Sequence, residues 1–202
     1  MRPRPLPRPL PFIALSGGLL GASRADAHLV TTGLGPLYDG IGHLLLTPED
    51  LVPAIALALY AGLRGAGAGR RTLFILPLAW FAGGLAGLRM NVTIAFPLPA
   101  ISFLVLGALV AADLRLSDRA VGTTAAVLGF AHGLMNGIAV RGAGPGALGL
   151  LGISATLFVV VALLSAFVVG LRRPWTRIAV RVAGSWIAAT GLLLLGWSFR
   201  RA

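Results

Sequence analysis

The strongest constraint on this chain is a succession of long apolar runs broken only by short, arginine-bearing connections. After residue 47, apolar segments cover roughly 48–64, 72–89, 92–113, 119–140, 146–171 and 177–199. Helices of about 17–25 predominantly apolar residues match the hydrocarbon thickness of a bilayer. Barrel strands would instead alternate over about 10 residues between turns, and no such alternation is present. Only 11% of residues are charged, less than half the share of about 25% in soluble domains. Mean hydropathy is +0.90. The expected fold class is all-α, a polytopic transmembrane helix bundle of about six spans.

The breaks set topology. Connections such as "RMNV" (89–92) and "RGAGPG" (141–146) are short, which forces sequential helices to run antiparallel. Residues 1–27 combine Arg2, Arg4 and Arg8, a short apolar core from Phe12 to Ala22, and Ala25-Asp26-Ala27. That order resembles a cleavable signal peptide, leaving residues 28–202 as one transmembrane domain. Cleavage after Ala27 would put His28 on the outer, periplasmic side of a bacterial inner membrane. The arginines agree. Arg64, Arg70, Arg71, Arg115, Arg119, Arg172, Arg173 and Arg177 fall at one set of helix ends, against Arg89, Arg141, Arg200 and Arg201 at the other. The richer side is expected inside.

All 17 basic residues are arginine and the formal charge is +11. The arginines cap apolar segments without aromatic interleaving or a nucleic-acid-binding motif, so nucleic acid is not an expected partner. Asp113 and Asp118 share a loop with Arg115 and Arg119, which predicts a solvated ion-pair cluster. Gly83–Gly87 and Gly129–Gly133–Gly137 predict close helix approach. Pro97 and Pro99 predict a broken hydrogen-bond ladder near the start of the third span.

The scarce ionisable groups are unevenly spread. Of six acids and three histidines in the chain, "YDGIGHLLLTPEDL" (38–51) holds Asp39, Glu49, Asp50 and His43. Thr47 reads as an N-cap, with Pro48 at the first helical position and Glu49 and Asp50 facing the positive end of the helix dipole. This gives Thr47, Glu49 and Asp50 a capping or electrostatic role. Asp39 and His43 are four apart and share one face if helical. Pro36–Leu46 is too short to cross, so it is expected to dip into the bundle or lie along its outer mouth. His132 and Asn136, in "GFAHGLMNG" (129–137), repeat the spacing of four within the fourth span. Ionisable groups at such depth are costly unless paired or hydrated.

Imidazoles with one carboxylate suit a borderline divalent ion, Ni²⁺, Co²⁺, Zn²⁺ or Cu²⁺, better than Mg²⁺ or Ca²⁺. The candidate metal ligands are His28, with its free α-amine after cleavage, Asp39, His43, His132 and Asn136. With no cysteine in the chain, thiolate ligands and nucleophiles are excluded. The absence of GxSxG, P-loop and HExxH patterns argues against ordinary enzymatic chemistry.

The histidine immediately after a small-residue cleavage site, the "DGxxH" element entering the first span, six short-looped spans and "AHG" in the fourth resemble the HupE/UreJ family. The likeness is densest in "AHLVTTGLGPLYDGIGHLLLTPEDLVPAIALALYAGLRG" (27–65) and in 129–137. The resemblance implies a small bacterial membrane protein associated with hydrogenase or urease maturation and regarded as a nickel or cobalt permease. Asp39 and His43 answer to an adjacent Asp-His pair in the family, and Ala131-His132-Gly133 to its later motif. Leu128 and Met135 stand where the family has a second histidine and a glutamate. The implied partners are membrane lipid, the metal ion and a metalloenzyme-maturation partner. A non-transporting accessory protein is the alternative, and a membrane-embedded metalloenzyme a weaker one.

Overall fold

The computed structural model describes residues 31–141 and 145–200. The expected signal peptide and His28 lie outside the described residues. Among the described residues there are seven helices and no strand: α1 Pro36–Leu46, α2 Pro48–Arg64, α3 Ala66–Gly87, α4 Leu98–Ala112, α5 Asp118–Val140, α6 Gly146–Val169 and α7 Pro174–Phe199.

Local sequence sets most of the boundaries. Gly35, at φ 104°, turns the chain into α1, and Pro36 occupies the first turn. Thr47 is extended (φ −108°, ψ 92°), as a residue preceding proline prefers. There the chain bends by 74° between α1 and α2. Gly65, at φ 114°, separates α2 from α3 by a single residue. The stretch between the expected segments 48–64 and 72–89 is therefore helical from Ala66 onward, and Arg70 and Arg71 ride on the early turns of α3. Pro97 and Pro99 were expected to interrupt a helix beginning near residue 92. Instead α4 begins at Leu98, with Pro97 as its cap residue, where a missing amide costs nothing.

Among the described residues three helices, α5, α6 and α7, are long and apolar enough to cross a membrane, and a fourth crossing arises if the bent α1–α2 pair counts as one span. α4 is apolar but has only 15 residues, about 22 Å at 1.5 Å per residue. The chain is a helical membrane protein.

α2 runs through the middle of the bundle. Ala54, Ala56, Leu57 and Ala58 are fully buried among Leu76 and Trp80 of α3, Leu106 of α4 and Ile153 and Leu157 of α6, and Tyr60 and Ala61 among Val110 of α4, Val121 of α5 and Val168 of α6. Around it the helices pair through glycine. A Cβ on Gly133 would overlap the Trp80 carbonyl, one on Gly137 the Gly84 carbonyl, and ones on Gly83 and Gly87 the carbonyls of Phe130 and Leu134. α3 and α5 thus touch backbone to backbone, along the small-residue faces expected from the sequence. Gly107 and Gly191 do the same between α4 and α7, and Gly40 and Gly152 between α1 and α6. The outer face of α7 stays exposed, with Trp186 and Leu193 prominent, as a lipid-facing surface requires.

At the arginine-rich end, Asp113 closes α4 in the left-handed region (φ 51°). Its carboxylate pairs with Arg64 of α2, and Arg177 of α7 lies 3.8 Å away. Tyr60 donates to the Leu114 carbonyl at 2.8 Å, and Arg177 to the Leu63 carbonyl at 3.2 Å. The expected loop cluster with Arg115 and Arg119 is replaced by a tie between three helices. Arg64 and Arg177 project from helix ends that converge on residue 113, whereas the loop places its own arginines outward.

Because the α3–α5 contact has no room for a methyl, Gly133→Ala should destabilise the protein by about 1–3 kcal/mol through overpacking. Gly196→Ala, with open space around it, should be neutral or slightly stabilising. Thermal unfolding of both variants in one detergent measures the contrast.

Candidate functional site

The site begins with the first turn of α2. Asp50 lies in register with Pro53, Ala54, Leu57 and Ala61, all buried, so helical periodicity turns its side chain inward with them. It is 5% exposed. Oδ1 is 2.9 Å from Nδ1 of His132, and Oδ2 accepts a hydrogen bond from Asn136 Nδ2 at 2.8 Å. His132 and Asn136 lie one turn apart on α5, so both address the same carboxylate.

A further layer fixes these partners. His132 Nε2 is 2.9 Å from the Ser102 hydroxyl of α4. With the Nδ1 proton directed at the carboxylate, Nε2 accepts from that hydroxyl. Trp80 Nε1 of α3 donates to Asn136 Oδ1 at 3.2 Å, and the indole lies against the His132 ring with centroids 5.1 Å apart. The backbone contact at Gly133 brings these two side chains together. Ser102 also borders a cleft of about 320 Å³ between α4 and α5.

His43 of α1 completes the arrangement differently. Its Nε2 is buried, makes no hydrogen bond, and lies 3.7 Å from Asp50 Oδ2. That distance is too long for a hydrogen bond. The two atoms stay within ion-pair range of each other without a hydrogen bond.

The residues singled out in the sequence divide into two groups. His43, His132 and Asn136 converge, and they do so on Asp50. Asp39 does not join them. It sits near the start of α1, where its Oδ1 accepts from the backbone N–H and hydroxyl of Thr32 at 2.6 and 2.7 Å. Glu49 is exposed. Thr47 makes no side-chain capping bond; its carbonyl alone starts α2, accepting from Asp50 and Leu51. The capping expectation for Thr47 and Asp50 is thus corrected, because the Asp50 carboxylate is drawn to α5 and not to its own helix end. Ser102 and Trp80 were not singled out from the sequence. Among the described residues, no group of three or more His, Asp or Glu is placed to hold a metal ion.

Trp80→Phe keeps a ring against His132 but leaves Asn136 Oδ1 without its donor. The expected cost is about 1–3 kcal/mol for an unsatisfied buried acceptor, measurable as a lowered unfolding midpoint.

No curated protein and no solved structure matches this chain. A family model described as "HupE / UreJ protein" matches residues 15–194, which takes in every helix but the last few residues of α7. The chain belongs to the HupE/UreJ family, whose members are associated with nickel or cobalt transport or accessory roles.

Proposed function

We propose that this protein is a permease for a divalent transition-metal ion of the nickel or cobalt type, and that His43 Nε2 and Asp50 Oδ2 are its transit ligands. The observation that carries this reading is the 3.7 Å gap between two buried donor atoms, one of which has no other partner. Two metal–ligand bonds of about 2.1 Å at the tetrahedral angle span about 3.4 Å, so the pair closes on an ion with a movement of about 0.3 Å. His132 and Asn136 then hold the carboxylate in place, as groups behind metal ligands commonly do. Ser102 and Trp80 hold His132 and Asn136.

A site with two protein ligands leaves the rest of the ion's coordination to water. That suits passage, which requires binding weak enough for release. Imidazole plus carboxylate also accommodates zinc or copper, so the ion's identity rests on family membership. The reading includes six crossings, a cleaved signal peptide and an inner-membrane location with the mature N-terminus outside, as the arginine asymmetry supports. In that orientation α1 lies at the outer mouth. Asp39 and Glu49 would gather cations there electrostatically, and His28 would add an imidazole and an α-amine.

At equal membrane abundance, His43→Ala and Asp50→Asn should each reduce nickel or cobalt uptake into proteoliposomes to background. His132→Gln should retain partial uptake, since it still offers a donor to the carboxylate. Asp39→Asn should only raise the half-saturating concentration, by roughly tenfold or less. Wild-type uptake with both His43 and Asp50 replaced would reject transport through this site. No flux from the intact protein, together with a stable stoichiometric partner, would favour the accessory role.

A further inference from the structure

The arginine-rich end of the bundle holds two kinds of arginine. Arg64 and Arg177 are tied to Asp113. Arg70 and Arg71 of α3 and Arg119 of α5 are exposed, and their guanidinium groups have no hydrogen bond or ion pair among the described residues. These three flank two adjoining cavities of about 510 and 330 Å³, which share Arg71, Ile75 and Asp118. One wall of this cleft is cationic. The other is apolar, formed by Ile75 and Phe74, the latter 56% exposed on the outer surface of the bundle.

We propose that this cleft binds the phosphate headgroup of an anionic membrane phospholipid. Guanidinium forks match phosphate oxygens in pairs, and basic pockets between helices near a membrane surface fit such headgroups. The apolar wall suits the start of an acyl chain and gives a free phosphate ion nothing to contact. Asp118 does not cancel the site. It is one carboxylate against three guanidinium groups, and it lies so close to the first turn of α3 that a Cβ on Gly67 would be 2.6 Å from its Oδ2. There it faces the positive end of the α3 dipole. The bound lipid would bridge α3 and α5 at the end where α3 follows Gly65 and α5 follows the loop after α4. The proposal requires a bilayer around the bundle but is independent of metal transit.

The test is thermal unfolding of the full chain in non-ionic detergent, titrated with short-chain phosphatidylglycerol, phosphatidylcholine or inorganic phosphate. Phosphatidylglycerol should raise the midpoint saturably, and the other two should not. In Arg71→Ala/Arg119→Ala the half-saturating concentration should rise at least about tenfold, as expected on losing two charge-assisted hydrogen-bonding groups. Arg172→Ala/Arg173→Ala, at a different helix junction, should behave as wild type. If the double alanine variant does not fold, Arg71→Lys/Arg119→Lys keeps the charge and loses the forks, and it should still weaken the response. The proposal is overturned if the alanine or lysine pair responds as wild type does. It is also overturned if phosphatidylcholine or phosphate alone reproduces the shift.

Discussion

A carboxylate buried in a lipid-embedded bundle is the constraint to which the rest of this structure answers. Ionisable groups at such depth are tolerated only when partners replace the lost water. Asp50 gathers those partners from across the fold: His132 and Asn136 directly from α5, Ser102 and Trp80 behind them from α4 and α3, and His43 facing it from α1. Five helices therefore meet at one side chain. The glycine faces make this possible. Without backbone contact between α3 and α5 at Gly133 and Gly137, Trp80 could not reach both the ring of His132 and the amide of Asn136.

The arrangement is unequal in an informative way. Both Asp50 oxygens have a hydrogen-bond partner close by, whereas His43 Nε2 has none. A buried unpaired polar atom is destabilising, and His43 Nε2 shares that condition with Thr72 Oγ1 and Ser154 Oγ but differs from them in facing a buried carboxylate. The break at Thr47–Pro48 explains how the asymmetry arises. By turning the chain through 74°, it brings His43 back over the first turn of α2, close to Asp50 but short of contact. An ion between them would satisfy both groups, and its departure would leave an intact network behind.

Much of the architecture was legible from the residues because it depends on local rules. The positions of α1, α2, α5, α6 and α7 follow from apolar length, from glycine and from proline at first helical turns. The spacing of His132 and Asn136 did place both on one face of α5, where they address the same carboxylate, whereas His43 reaches it without Asp39, its neighbour by the same spacing. What escaped depends on tertiary contact. Asp50 looked like a helix-start acid beside Glu49, although its register with Leu57 and Ala61 marked the inward face. Asp39 shares a face with His43 on paper, but the turn at Gly33 and Gly35 delivers Thr32 to it first. Ser102 and Trp80 carried no local signal separating them from ordinary core residues. Asp113 was assigned to its own loop because its true partners, Arg64 and Arg177, are distant in sequence.

Nickel K-edge X-ray absorption on the metal-loaded protein examines the proposed pair most directly. One histidine imidazole among mainly oxygen neighbours is expected, with the imidazole contribution lost in His43→Ala and retained in Asp39→Asn. An unchanged nickel environment in His43→Ala would mean that the open nitrogen beside Asp50 does not meet the ion.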